Sequence, residues 1–200
     1  GPSLDCINCS WICIIKEDEV TEKQAQFVQD YFLQKVSPAL VTIILNDLEE
    51  LPRLKDSAAY LAVRMILDED GKKEKKYILI EIPRGIERFL EIPSEDGKKY
   101  IIILDDLIRY NLKSLFSIFN YESISAHMIK ITRDAELDMA GDLTKSYIDK
   151  LLSSIKDRIE GEPVRFVYDK TIGKDTLDFL LSKMGIDDSD SLIPGGRYHN

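Results

Sequence analysis

Three cysteines near the N-terminus are the residues of this sequence best suited to metal or redox chemistry. Cys6, Cys9 and Cys13 would supply three thiolate ligands, but a structural zinc site needs a fourth ligand. The two histidines, His127 and His199, lie far away in the sequence. An odd number of cysteines without partners elsewhere also makes no disulfide framework. We therefore expect Cys13 to pack inside a strand and no metal ion to bind, with a cysteine-based metal site as the weaker alternative.

Neither histidine has the sequence context of a catalytic residue. Nucleophilic catalysis requires a nucleophile with a base within reach. His127 falls in a predicted strand, and the chain contains no Gly-x-Ser-x-Gly or Cys-Gly motif. His199 is the second-last residue, so any role for it would depend on further chain. The sequence thus predicts no catalytic residue.

The sequence also lacks the usual signals of nucleotide and calcium binding. Gly195-Gly196 is not followed by the Lys-Ser/Thr of a phosphate-binding loop. Carboxylates alternate in two places, but neither has the glycine and glutamate that a calcium loop requires. We interpret these two clusters as solvated surface: Asp134, Glu136 and Asp138, and Asp187, Asp188 and Asp190. No cofactor-binding residue is predicted.

Four lysines form a basic cluster that could contact a polyanion: Lys72, Lys73, Lys75 and Lys76. Lysines at an exposed turn more often serve solubility. The whole chain has 36 acidic and 27 basic residues, a net charge of −9, and phosphate contacts need Lys and Arg. This balance argues against broad binding to nucleic acid or anionic lipid.

The order of apolar runs and turns predicts an α+β fold, a mixed, mainly antiparallel sheet with packed helices. The clearest signal is a hairpin in which Asp70-Gly71 joins two apolar runs. Predicted strands cover residues 11–15, 60–67, 76–82, 88–92, 100–103, 127–133 and 164–168. Predicted helices run from Thr21 to Pro38, from Leu104 to Leu115, from residue 142 to Gly161, and through Leu177–Met184 to Gly185.

The chain length and composition fit one medium domain or two small ones. Apolar residues make up 44% of the chain, enough for a core, and no run approaches the ~18–20 apolar residues of a membrane span. Gly1-Pro2-Ser3 resembles a protease-cleavage scar, so we expect an excised part of a longer protein. We predict a strand and helical segment over 4–40 that leads into a domain over 41–200, with 46–56 as a loop.

The order of motifs over about residues 12–200 resembles the bacterial polyphosphate kinases that work through a phosphohistidine. Two departures are local. Leu40-Val41-Thr42-Ile43 stands where the family usually has Leu-Thr-Pro, and 46–56 is poorly matched. Four stretches carry the resemblance: Gln26–Phe32 with Val36–Leu40; Arg88–Pro93; Leu104–Leu112 continuing to Leu115-Phe116; and Ile131–Asp138 with Gly161–Arg165.

The resemblance implies a fragment that covers the end of the N-terminal domain and the middle, or head, domain of an enzyme. That enzyme reversibly transfers the γ-phosphate of ATP to inorganic polyphosphate. Such enzymes have four domains, and the family's phosphohistidine, Mg²⁺ and nucleotide motifs lie outside the head. The head is similar to PX domains and is associated with dimer formation. Arg133 and Asp134 match the family's Thr-Arg-Asp signature, for which a structural and a functional role are both open.

These implications lead to two alternative functions: an assembly domain and a binding module. In the first, the chain is inactive alone, binds no ATP or Mg²⁺ itself, and serves homo-oligomer assembly, with inorganic polyphosphate as a further partner and nucleic acid excluded. The expected location is cytoplasmic, with peripheral association at the inner membrane as a variant. In the second, the chain is a PX-like module that binds a polyanion or a phosphoinositide. A phosphate-binding module should gather its Lys and Arg residues in one groove.

Overall fold

The computed structural model describes residues 11–49, 51, 53–133, 164–186 and 191–198. The chain divides into two compact units, and each is treated separately below. The first unit comprises residues 1–46 and 61–126, and the second comprises residues 47–60 and 127–200. The domain boundaries expected from the sequence, after residues 3 and 40, stay predictions.

The described residues form an α+β structure, as predicted. Its strands are β1 (Ile12–Ile15), β2 (Val41–Ile44), β3 (Ala59–Glu69), β4 (Lys72–Glu81), β5 (Phe89–Ile92), β6 (Lys99–Ile103), β7 (Tyr121–Arg133), β8 (Val164–Asp169) and β9 (Ser191–Gly195). Its α-helices are α1 (Glu22–Tyr31), α2 (Leu104–Tyr110), α3 (Leu112–Leu115) and α4 (Lys174–Met184). A π-helical segment, Phe32–Val36, and a 3₁₀ turn, Ser37–Ala39, prolong α1 to the region of Pro38.

A three-stranded sheet in the first unit has the order β1-β6-β5. Strand β1 runs parallel to β6, and β5 runs antiparallel to it. One face of this sheet is well covered, because α1 contacts β5 and α2 contacts β6. The buried side chains on that face are Cys13, Ile15, Ile92 and Ile102.

A second sheet has the order β2-β4-β3-β7-β8-β9. The strands β3 and β7 each run from one unit into the other. Within the first unit, β2 pairs antiparallel with β4. Within the second, β7 pairs antiparallel with β8, and β8 pairs parallel with β9. The sheets are thus mixed and mainly antiparallel, but there are two of them where the sequence suggested one.

Local sequence explains the hairpin between β3 and β4. Asp70 and Gly71 have positive φ angles of 54° and 82°, and a two-residue type I′ turn requires positive φ at both positions. The Gly71 N–H donates to the Asp68 carboxylate at 3.0 Å, which closes the turn. The hairpin is longer than predicted, because β4 begins at Lys72 and includes all four lysines of the predicted cluster.

The helix predicted from Leu104 to Leu115 is interrupted, and that prediction was wrong in this respect. The Asn111 side-chain amide donates to the Leu107 carbonyl at 2.8 Å. That carbonyl is the acceptor that an unbroken helix would offer to the Asn111 backbone N–H, which bonds to Ile108 instead. Asparagine side chains compete with the backbone in this way, so α2 ends and α3 starts on either side of Asn111.

Three further predictions differ from the structure or fall outside it. The strand predicted at 127–133 begins earlier, at Tyr121. The prediction missed its first half because those residues are mostly polar and show no clear period. Strand β9 was not predicted, because Pro194-Gly195 resembles a loop. Proline is tolerated in β9 because this strand lies at the edge of the sheet. The helix predicted over 142–160 and its end at Gly161 lie outside the described residues.

A buried ion pair fixes α2 inside the first unit. The Arg109 guanidinium donates to the Asp106 carboxylate at 2.8 Å, and the two side chains are 4% and 0% exposed. Arg109 Nε also donates to the Ala126 carbonyl of β7 at 3.2 Å. Taking charges out of water is costly unless they are paired, so each residue of this pair requires the other.

Replacing Arg109 by Met should lower the free energy of unfolding by about 3–5 kcal/mol, because the buried Asp106 carboxylate would lose the guanidinium that pairs with its charge. The double variant Asp106→Leu/Arg109→Met should recover much of that loss. Urea denaturation of the parent, both single variants and the double variant measures the coupling. A loss below about 1 kcal/mol for Arg109→Met would contradict this account, since an exposed pair contributes that little.

Candidate functional site

The residues best suited to catalysis or metal binding are not assembled into a site in the described part of the chain. Cys13 is buried at 4% exposure in β1, as predicted, and His127 is partly buried in β7. Cys6, Cys9 and His199 lie outside the described residues, as do both acidic clusters. Among the described residues there is no group of three or more His, Cys, Asp or Glu that could hold a metal ion.

The predicted lysine cluster is divided by the strand that carries it. Successive side chains of β4 point to opposite faces, so Lys72 and Lys76 lie on one face and Lys73 and Lys75 on the other. Lys73 is paired with Glu122 at 2.8 Å, and its pKa is raised because that carboxylate accepts its hydrogen bond and attracts its charge. The Lys76 ammonium lies 4.9 Å from the centre of the Phe119 ring.

Arg133, from the Thr-Arg-Asp signature, has a structural role in the second unit. Its guanidinium donates to the Leu54 carbonyl at 2.8 Å. Its backbone N–H donates to the Asp56 carboxylate at 2.8 Å. These bonds attach the 47–58 loop to the end of β7. They favour the structural reading of Arg133, and Asp134 lies outside the described residues.

The most distinctive surface belongs to the three-stranded sheet of the first unit. Register places seven side chains on the face opposite the buried one, and we call this set the outer face: Ile12, Ile14, Phe89, Glu91, Lys99, Ile101 and Ile103. Ile103, at the end of β6, is buried at 6% exposure. Ile12 and Phe89 are 44% and 53% exposed, and Ile14 and Ile101 are partly exposed. The outer face is therefore mainly apolar and only partly covered.

A charged pair crosses the outer face. Lys99 Nζ lies 3.6 Å from a Glu91 carboxylate oxygen, with both side chains about 60% exposed. An exposed pair of this kind contributes little to stability. It does give the outer face one positive and one negative group beside its apolar side chains.

The exposed apolar side chains are concentrated in the first unit. The exposed large hydrophobic residues among those described are Trp11, Ile12, Phe27, Leu33, Val41, Phe89, Ile118 and Leu192. Only Leu192 of these belongs to the second unit. Scattered exposed apolar residues are normal, but a cluster that includes two residues of one sheet face marks a candidate interaction surface.

The sequence contained a signal for the outer face that composition and motif arguments missed. A strand with one solvated face alternates between apolar and polar residues, whereas a strand covered on both faces is continuously apolar. Both Ile12–Ile15 and Tyr100–Ile103 are continuous apolar runs. Such runs are typical of strands with a covering layer on each side, and within the described residues only one side is well covered.

The turn that leads into β6 is held by a carboxylate. Asp96 accepts hydrogen bonds from the Tyr100 hydroxyl at 2.7 Å, the Ser94 hydroxyl at 2.8 Å and the Lys98 N–H at 3.1 Å. These donors, Tyr100 first, lower the pKa of Asp96 from 3.8 to about 2. The adjacent Gly97 has a φ of 76°, which glycine adopts without strain.

Comparison with known proteins identifies the family. The model of the polyphosphate kinase middle domain matches residues 23–200. The chain belongs to the polyphosphate kinase middle-domain family. The resemblance inferred from the four sequence stretches is thereby confirmed.

Relatives of this middle domain are much longer than the chain. It is 38% identical over 194 residues to a polyphosphate kinase of Vibrio parahaemolyticus and 36% identical to one of Escherichia coli. These alignments cover 94% of the chain and only 27% and 28% of the two relatives. The crystal structure of polyphosphate kinase from Porphyromonas gingivalis matches with a TM-score of 0.70 at 22% identity, over 94% of this chain and 26% of that one, which supports the fold. In the described residues, none of the helices is long and apolar enough to cross a membrane.

The lowered pKa of Asp96 predicts a pH-dependent stability. The ionised carboxylate is favoured in the folded state, so its contribution is present above pH 3.8 and is lost as the pH falls through about 2. Asp96→Asn should therefore have a lower melting temperature than the parent at pH 7, and the gap should close as the pH falls from about 4 to about 2. Thermal unfolding of both proteins over this pH range tests it. A gap that stays constant would show that the charge of Asp96 has no part in holding the turn.

Proposed function

We propose that this chain is the non-catalytic middle domain of a longer polyphosphate kinase, and that it pairs two copies of that enzyme. The parent enzyme transfers the γ-phosphate of ATP reversibly to inorganic polyphosphate. ATP and Mg²⁺ bind to parts of the parent outside this stretch, which itself serves assembly in the cytoplasm. Two findings support assigning assembly to this chain and catalysis to the rest of the parent enzyme. The chain belongs to the middle-domain family, and it spans only 27% of the length of a relative.

The observation that carries the assembly role is the partly exposed outer face. Ile12, Ile14, Phe89 and Ile101 place four apolar side chains on one side of a three-stranded sheet. Removing apolar area from water stabilises an interface by about 25 cal/mol per Å². A protein layer on this face would complete the burial that the continuous apolar runs of β1 and β6 indicate.

A second copy of the chain fits this face in charge as well as in polarity. A two-fold interface brings the same patch of both partners together, so a residue on one copy meets a different residue on the other. Glu91 and Lys99 lie on the outer face with opposite charges. A two-fold axis that passes between Glu91 and Lys99 would bring Lys99 of each copy to Glu91 of the other and keep like charges apart.

The size of the outer face requires the interface to extend beyond it. Three strands about 4.8 Å apart and four residues of about 3.3 Å each cover roughly 200 Å². A stable interface buries about 800 Å² per partner. The other exposed apolar residues of the first unit, among them Trp11 at 65% exposure, are the candidates for the remaining area.

The polyanion- or phosphoinositide-binding module is less well supported. Its main sequence argument was the lysine cluster, and β4 separates those lysines onto two faces. Lys73 is already paired with Glu122. A groove for a long polyanion needs several cations in one line, and the hairpin does not provide it.

Charged substitutions on the outer face should weaken self-association. Phe89→Glu and Ile12→Glu should each raise the dimer dissociation constant at least tenfold, because burying a side chain of that size contributes about 1.5–3 kcal/mol. Leu192→Glu is the matched control, since Leu192 has the same 44% exposure as Ile12 but belongs to the second unit. Light scattering after size-exclusion chromatography measures the association. An equal effect of all three substitutions would contradict a role of the outer face.

The chain alone should not catalyse phosphoryl transfer. With ATP, Mg²⁺ and polyphosphate, we expect ADP formation at the background rate, because phosphoryl transfer needs cations and a nucleophile around the transferring group. The full-length Vibrio parahaemolyticus relative serves as the positive control. Turnover by the 200-residue chain would contradict the proposed non-catalytic role.

A further inference from the structure

A cavity of about 350 Å³ lies in the second unit and is separate from the outer face. The loop around Arg53, the end of β7, the first residue of β8 and the C-terminal turn of α4 enclose it. Small-ligand sites usually have volumes of about 300–1,000 Å³, so this cavity is large enough for a small molecule.

Among the described residues, three cations and one carboxylate line the cavity. Arg53, Arg133 and Lys183 come from three different elements, and Glu49 is the acidic residue among the lining residues. The whole chain has a net charge of −9, so a local excess of positive charge is opposite to its overall balance. Such an inversion of charge inside a concave site attracts anions.

The position of Arg133 is set before any ligand binds. The guanidinium is partly buried, and its bond to the Leu54 carbonyl at 2.8 Å fixes it in the cavity wall. The bond from its backbone N–H to Asp56 holds the strand end below it. A guanidinium held in this way loses less conformational entropy on binding, and its planar fork suits a phosphate group.

The remaining lining is largely apolar. The apolar residues in the wall are Leu51, Leu54, Ile131, Val164, Met184 and Ile186. An inorganic polyphosphate chain is charged along its whole length, so placing it against these side chains would cost desolvation energy. A molecule with one phosphate end and an apolar body would match both parts of the wall.

The C-terminal end of α4 repels a nearby anion less than an uncapped helix end, because two of its terminal carbonyls already accept hydrogen bonds. Helix C-termini carry partial negative charge on unpaired carbonyls. Here the Ile186 N–H donates to the Leu181 carbonyl at 3.0 Å and the Gly185 N–H donates to the Ser182 carbonyl at 3.3 Å. This is the Schellman arrangement, with Gly185 at a φ of 65°. Lys183 in the same turn adds positive charge on the cavity side.

We propose that this cavity binds a small phosphate monoester. Its phosphate lies among Arg53, Arg133 and Lys183, and its organic body packs against the partly exposed side chains of Leu51, Met184 and Ile186. All of its lining residues belong to the second unit, whereas the outer face belongs to the first. The ligand is bound without a covalent step.

Calorimetric titration of the 200-residue chain with phenyl phosphate, hexyl phosphate and inorganic phosphate tests the proposal. At low salt, at least one monoester should bind with one-to-one stoichiometry and at least tenfold more tightly than inorganic phosphate. Preference for the phenyl or the hexyl ester tells whether the natural ligand has an aromatic or an aliphatic body. Binding should weaken as salt is added, since exposed charges are screened within about 10 Å at 0.1 M.

Two substitutions and a control locate the site. Arg53→Ala and Lys183→Ala should each weaken monoester binding, and together by at least tenfold, without the loss of the Leu54 contact that Arg133→Ala would cause. Lys170→Ala is the matched control, since Lys170 is an exposed lysine of the second unit outside the cavity lining. The proposal is overturned if tripolyphosphate binds more tightly than either monoester, if Lys170→Ala weakens binding as much as the double variant, or if no monoester binds at millimolar concentration.

Discussion

A β-strand that is apolar on both faces needs a covering layer on each of them, and this constraint governs the first unit. In β1 the residues of one face, Cys13 and Ile15, are 4% and 3% exposed, while Ile12 on the other face is 44% exposed. Burying the inner face requires α1 and α2 to pack in place, and α2 in turn contains the buried pair of Asp106 and Arg109. This packing leaves the outer face only partly covered, and we propose a second copy of the chain as its partner.

The two units differ in the kind of surface they present. The first unit has most of the exposed apolar side chains, and the second has the cavity lined by Arg53, Arg133 and Lys183. Apolar surface suits a lasting protein contact, because its stabilisation grows with the area buried. Cations in a concave site suit a small anion that exchanges. On the two proposals above, the first unit serves assembly and the second unit binds a small ligand.

Local patterns in the sequence were enough to predict most elements. The Asp70-Gly71 turn, the helix start at Thr21 and the helix end at Gly185 depend on residues a few positions apart, and the structure confirms them. The break at Asn111 depended on one side-chain hydrogen bond that periodicity does not reveal. The cavity could not be predicted, because its cations lie 50 or more positions apart in the chain and meet only after folding. The outer face was visible as two continuous apolar runs, but pairing of β1 with β6 was needed to place them side by side.

Sedimentation equilibrium of the unmodified chain over a wide concentration range tests the central claim most directly. The account predicts a mass that rises with concentration from that of one chain to that of two, without any ligand. No species larger than the dimer should form, because a two-fold pairing buries the outer face of both partners. A mass equal to one chain at every concentration would contradict the assembly role of this domain.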